Sequence, residues 1–358
     1  MKQPQLQQQR SLEKKLQKTI KKTNIETHSE SHVYQYDRAE EVAIEQFGIF
    51  WSAEELGVHN DEPDLRSNLT DAEVQAITYL QSILNVYEDH LGDDIWGDLI
   101  PKRFPRREIV RACRVISMVE THSHAPFYKI MNEVLHKATD EFYSQWRYDG
   151  HLYEHIKFVD RATKSDDNAI VTAALCGLEG INLFSAFGFF KQFNTRGWNY
   201  ISHFVAGIDG SAKDENFHSM FSAWLFRQLK YEREQAGLIT PEYSKWLDEQ
   251  VLSIVQQLYI HERTIIDKMW EFELTTGTPI RVVKKAELVE FVQDRVNVVL
   301  GYLGYPPLFE KSKGTISEQF YLNVSSFKSS DFFANTQLQY KRNWSRYKLK
   351  FNTGAENE

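Results

Sequence analysis

The chain has 358 residues, of which 42% are hydrophobic, so it is long enough to bury a large core. Its formal net charge of −8 argues against a nucleic-acid-binding protein. Only two cysteines occur, Cys113 and Cys176, which excludes a disulfide framework and predicts a reducing, cytoplasmic location.

The two ends of the chain differ in composition from its middle. Residues 1–33 are rich in Gln, Lys, Ser and Thr and predict a flexible basic arm in solvent. Residues 326–358 turn polar, basic and aromatic and predict a flexible tail. Residues 34–325 contain helical periodicity and no convincing strand pattern, so we expect an all-α domain there.

A capping box formed by Thr70 and Glu73 opens a clear helix in this domain. Glu88 and Asp89 fall near its end, and taken alone they are most simply solvent-facing acids. Asp89 lies off the main apolar stripe, which comprises Val74, Ile77, Leu80, Leu84, Tyr87 and Leu91.

The next helix begins near Arg107 and is apolar on nearly every face, which predicts that it is buried. It continues into Glu120, His122 and His124, so a carboxylate and imidazoles enter the interior. Pro126 has no N–H for the carbonyl four residues back. We therefore expect a kink or a single-turn π-bulge, which would absorb one extra residue.

Residues 169–190 are almost wholly apolar and about long enough to span a bilayer. Glu179 lies in the middle of this run, where a carboxylate in a lone membrane helix would be costly. The run therefore predicts a fully buried helix and no membrane association.

A further helix carries Glu215 and His218, which lie one turn apart on the same face. The residues above and below them on that face are apolar or small, so both side chains should point into the core. Pro241 then starts another amphipathic helix, and one more covers about 284–303.

Four helices thus supply carboxylates to an apolar interior, and two of them add a histidine about one turn later. This is the ligand supply of a dinuclear metal site in a ferritin-like bundle. Oxygen ligands with one nitrogen per metal suit Fe and Mn, and metal binding would remove the burial penalty of the charges. The competing interpretation, that all these acids are structural, requires several buried charges without a shared partner.

With these residues in place, the sequence resembles the small, radical-generating subunit of class I ribonucleotide reductase over most of residues 34–342. The resemblance rests on four segments taken together. They are Phe50-Trp51-Ser52-Ala53-Glu54-Glu55, Leu178-Glu179-Gly180-Ile181, Asp214-Glu215-Asn216-Phe217-His218, and Phe332-Phe333 followed by Gln339-Tyr340-Lys341-Arg342.

The resemblance implies a ferritin-like bundle with additional helices and a dinuclear centre, with Fe/Fe as first choice and Mn/Fe or Mn/Mn as alternatives. Asp89 is preferred to Glu88 because its distance along the chain to Glu120 fits the family's spacing. The implied ligands are Asp89, Glu120, His124, Glu179, Glu215 and His218.

The chain departs from the family at one ligand helix. The family has Glu-x-x-His, whereas three residues separate Glu120 from His124 here. Without a gap, Ser123 would take the place of the histidine and Phe127 that of the radical-bearing tyrosine. We prefer a bulge that restores His124 and Tyr128, with His122 as a rival ligand.

The resemblance further implies that an oxidant formed at the centre, on Tyr128 or on a mixed Mn/Fe pair, passes through His124, Asp214 and Trp51 to Tyr340. From there it would reach a separate large subunit, to which the C-terminal tail docks and where ribonucleotides are reduced. The implied assembly is a homodimer. The rival functions are another ferritin-like oxidase or oxygenase and a non-enzymatic metal-binding scaffold.

Overall fold

The computed structural model describes residues 21–312, 314, 316–318 and 320, and helices are the only regular secondary structure in that part. Short 3₁₀ turns and two π-helical segments, His90–Leu99 and Glu120–His124, join or extend the α-helices. The α-helices are α1 (Asp37–Gly48), α2 (Glu62–Ser67), α3 (Asp71–Asp89), α4 (Ile100–Arg103), α5 (Arg107–Val119), α6 (Ala125–Val134), α7 (Asp140–Ser144), α8 (Gly150–Thr163), α9 (Asn168–Gly180), α10 (Phe184–Lys191), α11 (Ser202–Gln235), α12 (Pro241–Thr276) and α13 (Lys285–Leu303).

Ordered structure begins earlier than Tyr34, where the composition placed it. A 3₁₀ turn at Asn24–Glu26 packs on the bundle, with Ile25 and Glu26 buried. The Arg233 guanidinium lies 3.3 Å from Glu26 and 2.7 Å from Asp167. The expectation of a solvated arm therefore fails for this turn, because a buried ion pair holds it. Residues 1–20 lie outside the described residues.

Two predicted helix starts have the expected caps. Thr70 Oγ1 accepts from the Glu73 amide while Glu73 accepts from the Thr70 amide, which closes the capping box of α3. Thr240 caps α12, and Pro241 occupies its first position.

The apolar run that carries Glu179 forms two helices rather than one. Leu183, with φ of 65°, separates α9 from α10. The Glu262 carboxylate of α12 accepts hydrogen bonds from the Leu183 and Ser185 amides, at 3.2 and 2.9 Å. Within the described residues, Asn168–Asn194 is the one stretch long and apolar enough to span a membrane, and its most apolar 18 residues are wholly buried in the bundle.

The helices α9 and α11 pack closely at the centre of the bundle. A Cβ atom at Gly180 would collide with Ser219 of α11 and Val299 of α13, so glycine permits this approach. Ser219 Oγ also donates to the Cys176 carbonyl at 2.8 Å. This contact brings Glu179 and Glu215 to the same side of the core.

Replacing Glu262 with Ala should destabilise the fold, by roughly 1–3 kcal/mol for each buried amide left without an acceptor. The free energy of unfolding from urea denaturation measures the loss. Glu249→Ala is the matched control, since Glu249 is exposed on the same helix and should change stability by less than about 0.5 kcal/mol. Equal stabilities of the two variants would show that Glu262 does not hold the break between α9 and α10.

Candidate metal centre

Six buried side chains from the ends and middles of four helical segments converge in the core. They form two groups of possible ligand atoms that lie within 4.8 Å of one another in each group. The groups are Glu88, Glu120, His124 and Glu215, and Glu120, Glu179, Glu215 and His218. Because Glu120 and Glu215 belong to both groups, the arrangement fits two cations that share bridging carboxylates.

In the first group, the Nδ1 atom of His124 is the common neighbour of three carboxylates. It lies 2.7 Å from Glu120, 3.0 Å from Glu215 and 3.6 Å from Glu88. In the second group, His218 Nδ1 lies 2.7 Å from Glu120, 3.7 Å from Glu215 and 3.9 Å from Glu179. Each imidazole therefore points one nitrogen at a cage of oxygens.

These close contacts are not satisfied hydrogen bonds. Both carboxylate oxygens of Glu88 and of Glu120, and the Nδ1 atoms of His124 and His218, are buried without a hydrogen-bond partner. Several orphaned donor and acceptor atoms aimed at one point are costly unless a cation lies there. Four carboxylates and two imidazoles are a donor set that suits Fe and Mn.

The outer nitrogen of each histidine is held by a second contact. His124 Nε2 lies 3.1 Å from Asp214, and His218 Nε2 lies 3.2 Å from the amide oxygen of Gln46. Gln46 also donates to Asp214 at 2.9 Å. The two side chains that contact the imidazoles are therefore hydrogen-bonded to each other. Such contacts fix the ring orientation and leave Nδ1 available to a metal.

Sequence reasoning missed Gln46, although a signal existed. Gln46 is fully buried on the inner face of α1, with Ala39, Val42 and Ala43. A glutamine in an apolar helical stripe needs a polar partner in the core.

The pKa values of the cluster diverge in the way that close buried acids require. Burial and then the neighbouring Glu215 raise the pKa of Glu88 and of Glu179 well above the usual range. Burial opposes the ionised form of Glu215 too, but the adjacent Glu179 carboxyl group and the two imidazoles lower its pKa. Burial would lower the pKa of His218, yet the neighbouring Glu120 raises it to about 10. Glu120 likewise raises the pKa of His124 above its usual value.

Asp89 does not join the cluster, and Glu88 lies there instead. Asp89 is exposed at the end of α3 and accepts from Asn85 at 3.1 Å, whereas Glu88 is fully buried. One position along a helix turns the side chain by about a quarter of the circle. Glu88 lies four residues after Leu84 and three before Leu91, so the apolar stripe already pointed to it.

The extra residue after Glu120 is absorbed as expected, by a π-helical turn over Glu120–His124. The wider turn brings His124 onto the face of Glu120, while His122 is exposed. The second π-helical segment packs against this turn, and Gly92 permits the approach because a Cβ there would lie 2.8 Å from Glu120 Cβ.

Tyr128 and Phe127 are both fully buried beside the centre. The Tyr128 hydroxyl donates to Ser211 Oγ at 3.1 Å. Burial, followed by the Glu88 charge, raises the pKa of the phenol well above its usual value, so it stays protonated. Phe127 instead packs between Trp51 and Phe204, at ring-centroid distances of 5.6 and 4.8 Å.

Trp51, Asp214 and His124 form one hydrogen-bonded chain. Trp51 Nε1 donates to Asp214 Oδ2 at 2.8 Å, and the same oxygen lies 3.1 Å from His124 Nε2. The indole also lies 5.6 Å from the imidazole, measured between ring centroids. Tyr340, the fourth residue expected on this path, lies outside the described residues.

A helical bundle that buries four carboxylates and two imidazoles in two groups with shared oxygens defines a ferritin-like di-metal protein. A family model described as "Ribonucleotide reductase, small chain" matches residues 30–315, and the chain belongs to that family. Among curated protein sequences, none matches this chain.

Solved structures with the same fold include three ribonucleotide reductase proteins. The dimanganese(II)-NrdF of Streptococcus sanguinis is 17% identical with a TM-score of 0.68, covering 83% of this chain and 99% of its own. The R2 subunit of Clostridium botulinum is 22% identical with a TM-score of 0.66, at 81% and 89% coverage. The Rnr4 homodimer of Saccharomyces cerevisiae is 15% identical with a TM-score of 0.68, at 90% and 99% coverage.

Family membership and the buried cluster together define the function. The chain is a small subunit of ribonucleoside-diphosphate reductase with a dinuclear metal site, and the family implies a large-subunit partner. Another oxidase or a storage scaffold is therefore set aside.

Metal loading should release protons, because the pKa values of Glu88, Glu179 and both histidines are raised in the metal-free cluster and a bound cation competes with protons for these atoms. Affinity should consequently rise with pH. Calorimetric titration with Mn(II), in buffers of different ionisation enthalpy, measures the proton count. Binding heats that do not depend on the buffer would contradict this account.

Replacing Glu88 with Ala should reduce bound Mn(II) from two towards one per chain, because Glu88 belongs to only one of the two groups. Asp89→Ala is the matched control on the neighbouring, exposed position and should retain both ions. Elemental analysis after gel filtration measures the content. The opposite pattern would assign the ligand role to Asp89.

Proposed function

We propose that Glu88, Glu120, His124, Glu179, Glu215 and His218 hold two first-row transition ions, with Fe/Fe the first choice and Mn/Fe or Mn/Mn the alternatives. The bound pair would supply oxidising power through its reaction with an oxygen species. The oxygen-rich donor set with one imidazole per ion supports Fe and Mn equally. The S. sanguinis protein is a dimanganese example of the same fold.

The observation that carries the proposal is the continuous chain from His124 through Asp214 to Trp51. Asp214 also accepts from Gln46, whose amide oxygen lies 3.2 Å from His218, so these two side chains contact the histidines of both groups. These contacts would fix the indole and the imidazole in place while an electron moves from Trp51 towards the centre. The Asp214 carboxylate would stabilise positive charge that develops on the indole.

Tyr128 is the proposed carrier of the stable radical. The π-helical turn brings His124 to the centre in place of Ser123. Tyr128 follows His124 by four residues, which is the spacing between ligand histidine and radical tyrosine in the family. Complete burial of the phenol would protect a radical from solvent. If Phe127 took this place instead, the oxidising equivalent would remain on a Mn/Fe pair.

Tyr340 is proposed to pass the oxidant from Trp51 to the large subunit, on which the C-terminal tail at 326–358 docks. We further propose that the protein acts as a homodimer in the cytoplasm. The Rnr4 homodimer of the same fold supports the dimer, and the two buried free cysteines are compatible with a reducing compartment.

Tyr340→Phe should abolish nucleotide reduction in the presence of the large subunit, because phenylalanine cannot be oxidised at an accessible potential. The EPR signal of the iron-loaded, oxygen-treated small subunit should be unchanged, since the tail residue plays no part in forming it. Tyr128→Phe should remove a tyrosyl signal.

Tyr347→Phe, another tyrosine of the same tail, is the matched control and should retain nucleotide reduction. Loss of the EPR signal in Tyr340→Phe, or full activity in that variant, would contradict the relay role.

A further inference from the structure

Trp96 is a fully buried indole that contacts the candidate metal centre on the side away from Trp51. Its Nε1 donates to Glu179 Oε1 at 2.5 Å, and its ring lies 6.2 Å from His218. Trp51 contacts His124 in the other group. Each of the two groups therefore has its own tryptophan within one contact of an imidazole.

Trp96 is the inner member of a stack of three aromatic rings. Phe221 lies 5.9 Å from Trp96, with 20° between the ring planes. Trp224 lies 5.7 Å from Phe221, with 9° between the planes. Tyr36 meets the outer face edge-on at 6.2 Å, and its hydroxyl donates to Glu232 at 2.7 Å. At these centroid distances the two near-parallel contacts are offset stacks, an arrangement that aromatic pairs favour.

The outer end of the stack reaches the surface. Trp224 is half-buried and lines a cleft of about 520 Å³ between α1, α11 and α13. Arg38 and Arg227 line the same cleft, and its lining contains no acidic side chain. Arg38 is paired with Glu41 at 3.0 Å, so Arg227 is the arginine of this lining that would attract an anion. This charge balance favours an anionic visitor.

We propose that Trp96 and Trp224 form a second electron route, with Phe221 packed between them as a bridge that is not itself oxidised. The route delivers single electrons from an anionic reductant in this cleft to the oxidised metal pair. The inference rests on the proposed function, because it needs an oxidisable centre. The reductant loses one electron and the centre gains one. No covalent bond forms or breaks, and the Trp96 N–H remains hydrogen-bonded to Glu179 throughout.

The route gives the centre an entry for electrons that is separate from the path through Trp51, along which the oxidising equivalent leaves the centre. Electron transfer depends on a short separation and on continuous contact, and the rings provide that contact from Glu179 to the surface. Arg227 is an exposed side chain at the cleft and would attract an anionic donor. Because the side chain is exposed, this attraction should weaken as the salt concentration rises.

The test uses dithionite as the anionic one-electron donor and follows loss of the oxidised centre's absorption by anaerobic stopped flow. Trp224→Leu and Phe221→Leu should each slow the reduction at least about tenfold, which corresponds to about 1.4 kcal/mol of barrier. Arg227→Gln should lower the bimolecular rate and weaken its dependence on salt. Trp246→Leu is the matched control, since Trp246 is a half-buried tryptophan outside the stack.

Equal rates in Trp224→Leu and Trp246→Leu would overturn the inference, as would slowing seen only in Trp51→Phe. Metal content and thermal stability of each variant separate a lost route from a damaged site. A protein that binds metal but never forms an oxidised centre would instead contradict the proposed function.

Discussion

The fold depends on how four carboxylates and two imidazoles can share one apolar interior. Each buried charge alone would oppose folding by several kcal/mol. Collected in two groups around Glu120 and Glu215, the charges compensate one another and offer cations a complete donor set. The pKa shifts express the same balance, because burial raises the pKa of Glu88 and Glu179 while the neighbouring carboxylates raise the pKa of both imidazoles. Protons and metal ions thus compete for one set of atoms.

A π-helical turn and two close helix contacts at glycines bring the ligand side chains to a common point. The π-helical turn at Glu120–His124 widens one turn of a helix that would otherwise present Ser123 to the centre. Gly92 and Gly180 allow neighbouring helices to approach closely on two sides. Helices fixed this tightly keep the ligand oxygens in position, which limits reorganisation when a cation binds or changes charge.

The contacts around the histidines connect stability with redox function. Gln46 and Asp214 hold the two rings from one side, and Trp96 holds Glu179 from the other. If the proposed routes are correct, the same hydrogen bonds that orient ligands also join the centre to Trp51 and to Trp224. Metal affinity and electron transfer would then respond together to changes in these few polar contacts.

The sequence by itself determined the helical class, the buried helices and four of the six converging side chains, because apolar periodicity and isolated buried charges are local signals. The family resemblance then favoured His124 over His122. The sequence also anticipated the bulge, since Pro126 disrupts helix geometry locally. Only the tertiary structure decided between Glu88 and Asp89, broke the apolar run at Leu183 and revealed Gln46 and the Trp96 stack. Those features depend on which helix lies opposite. A position on an apolar stripe, such as that of Glu88 or Gln46, marks a side chain as buried but does not identify its partner, which is far away in the sequence.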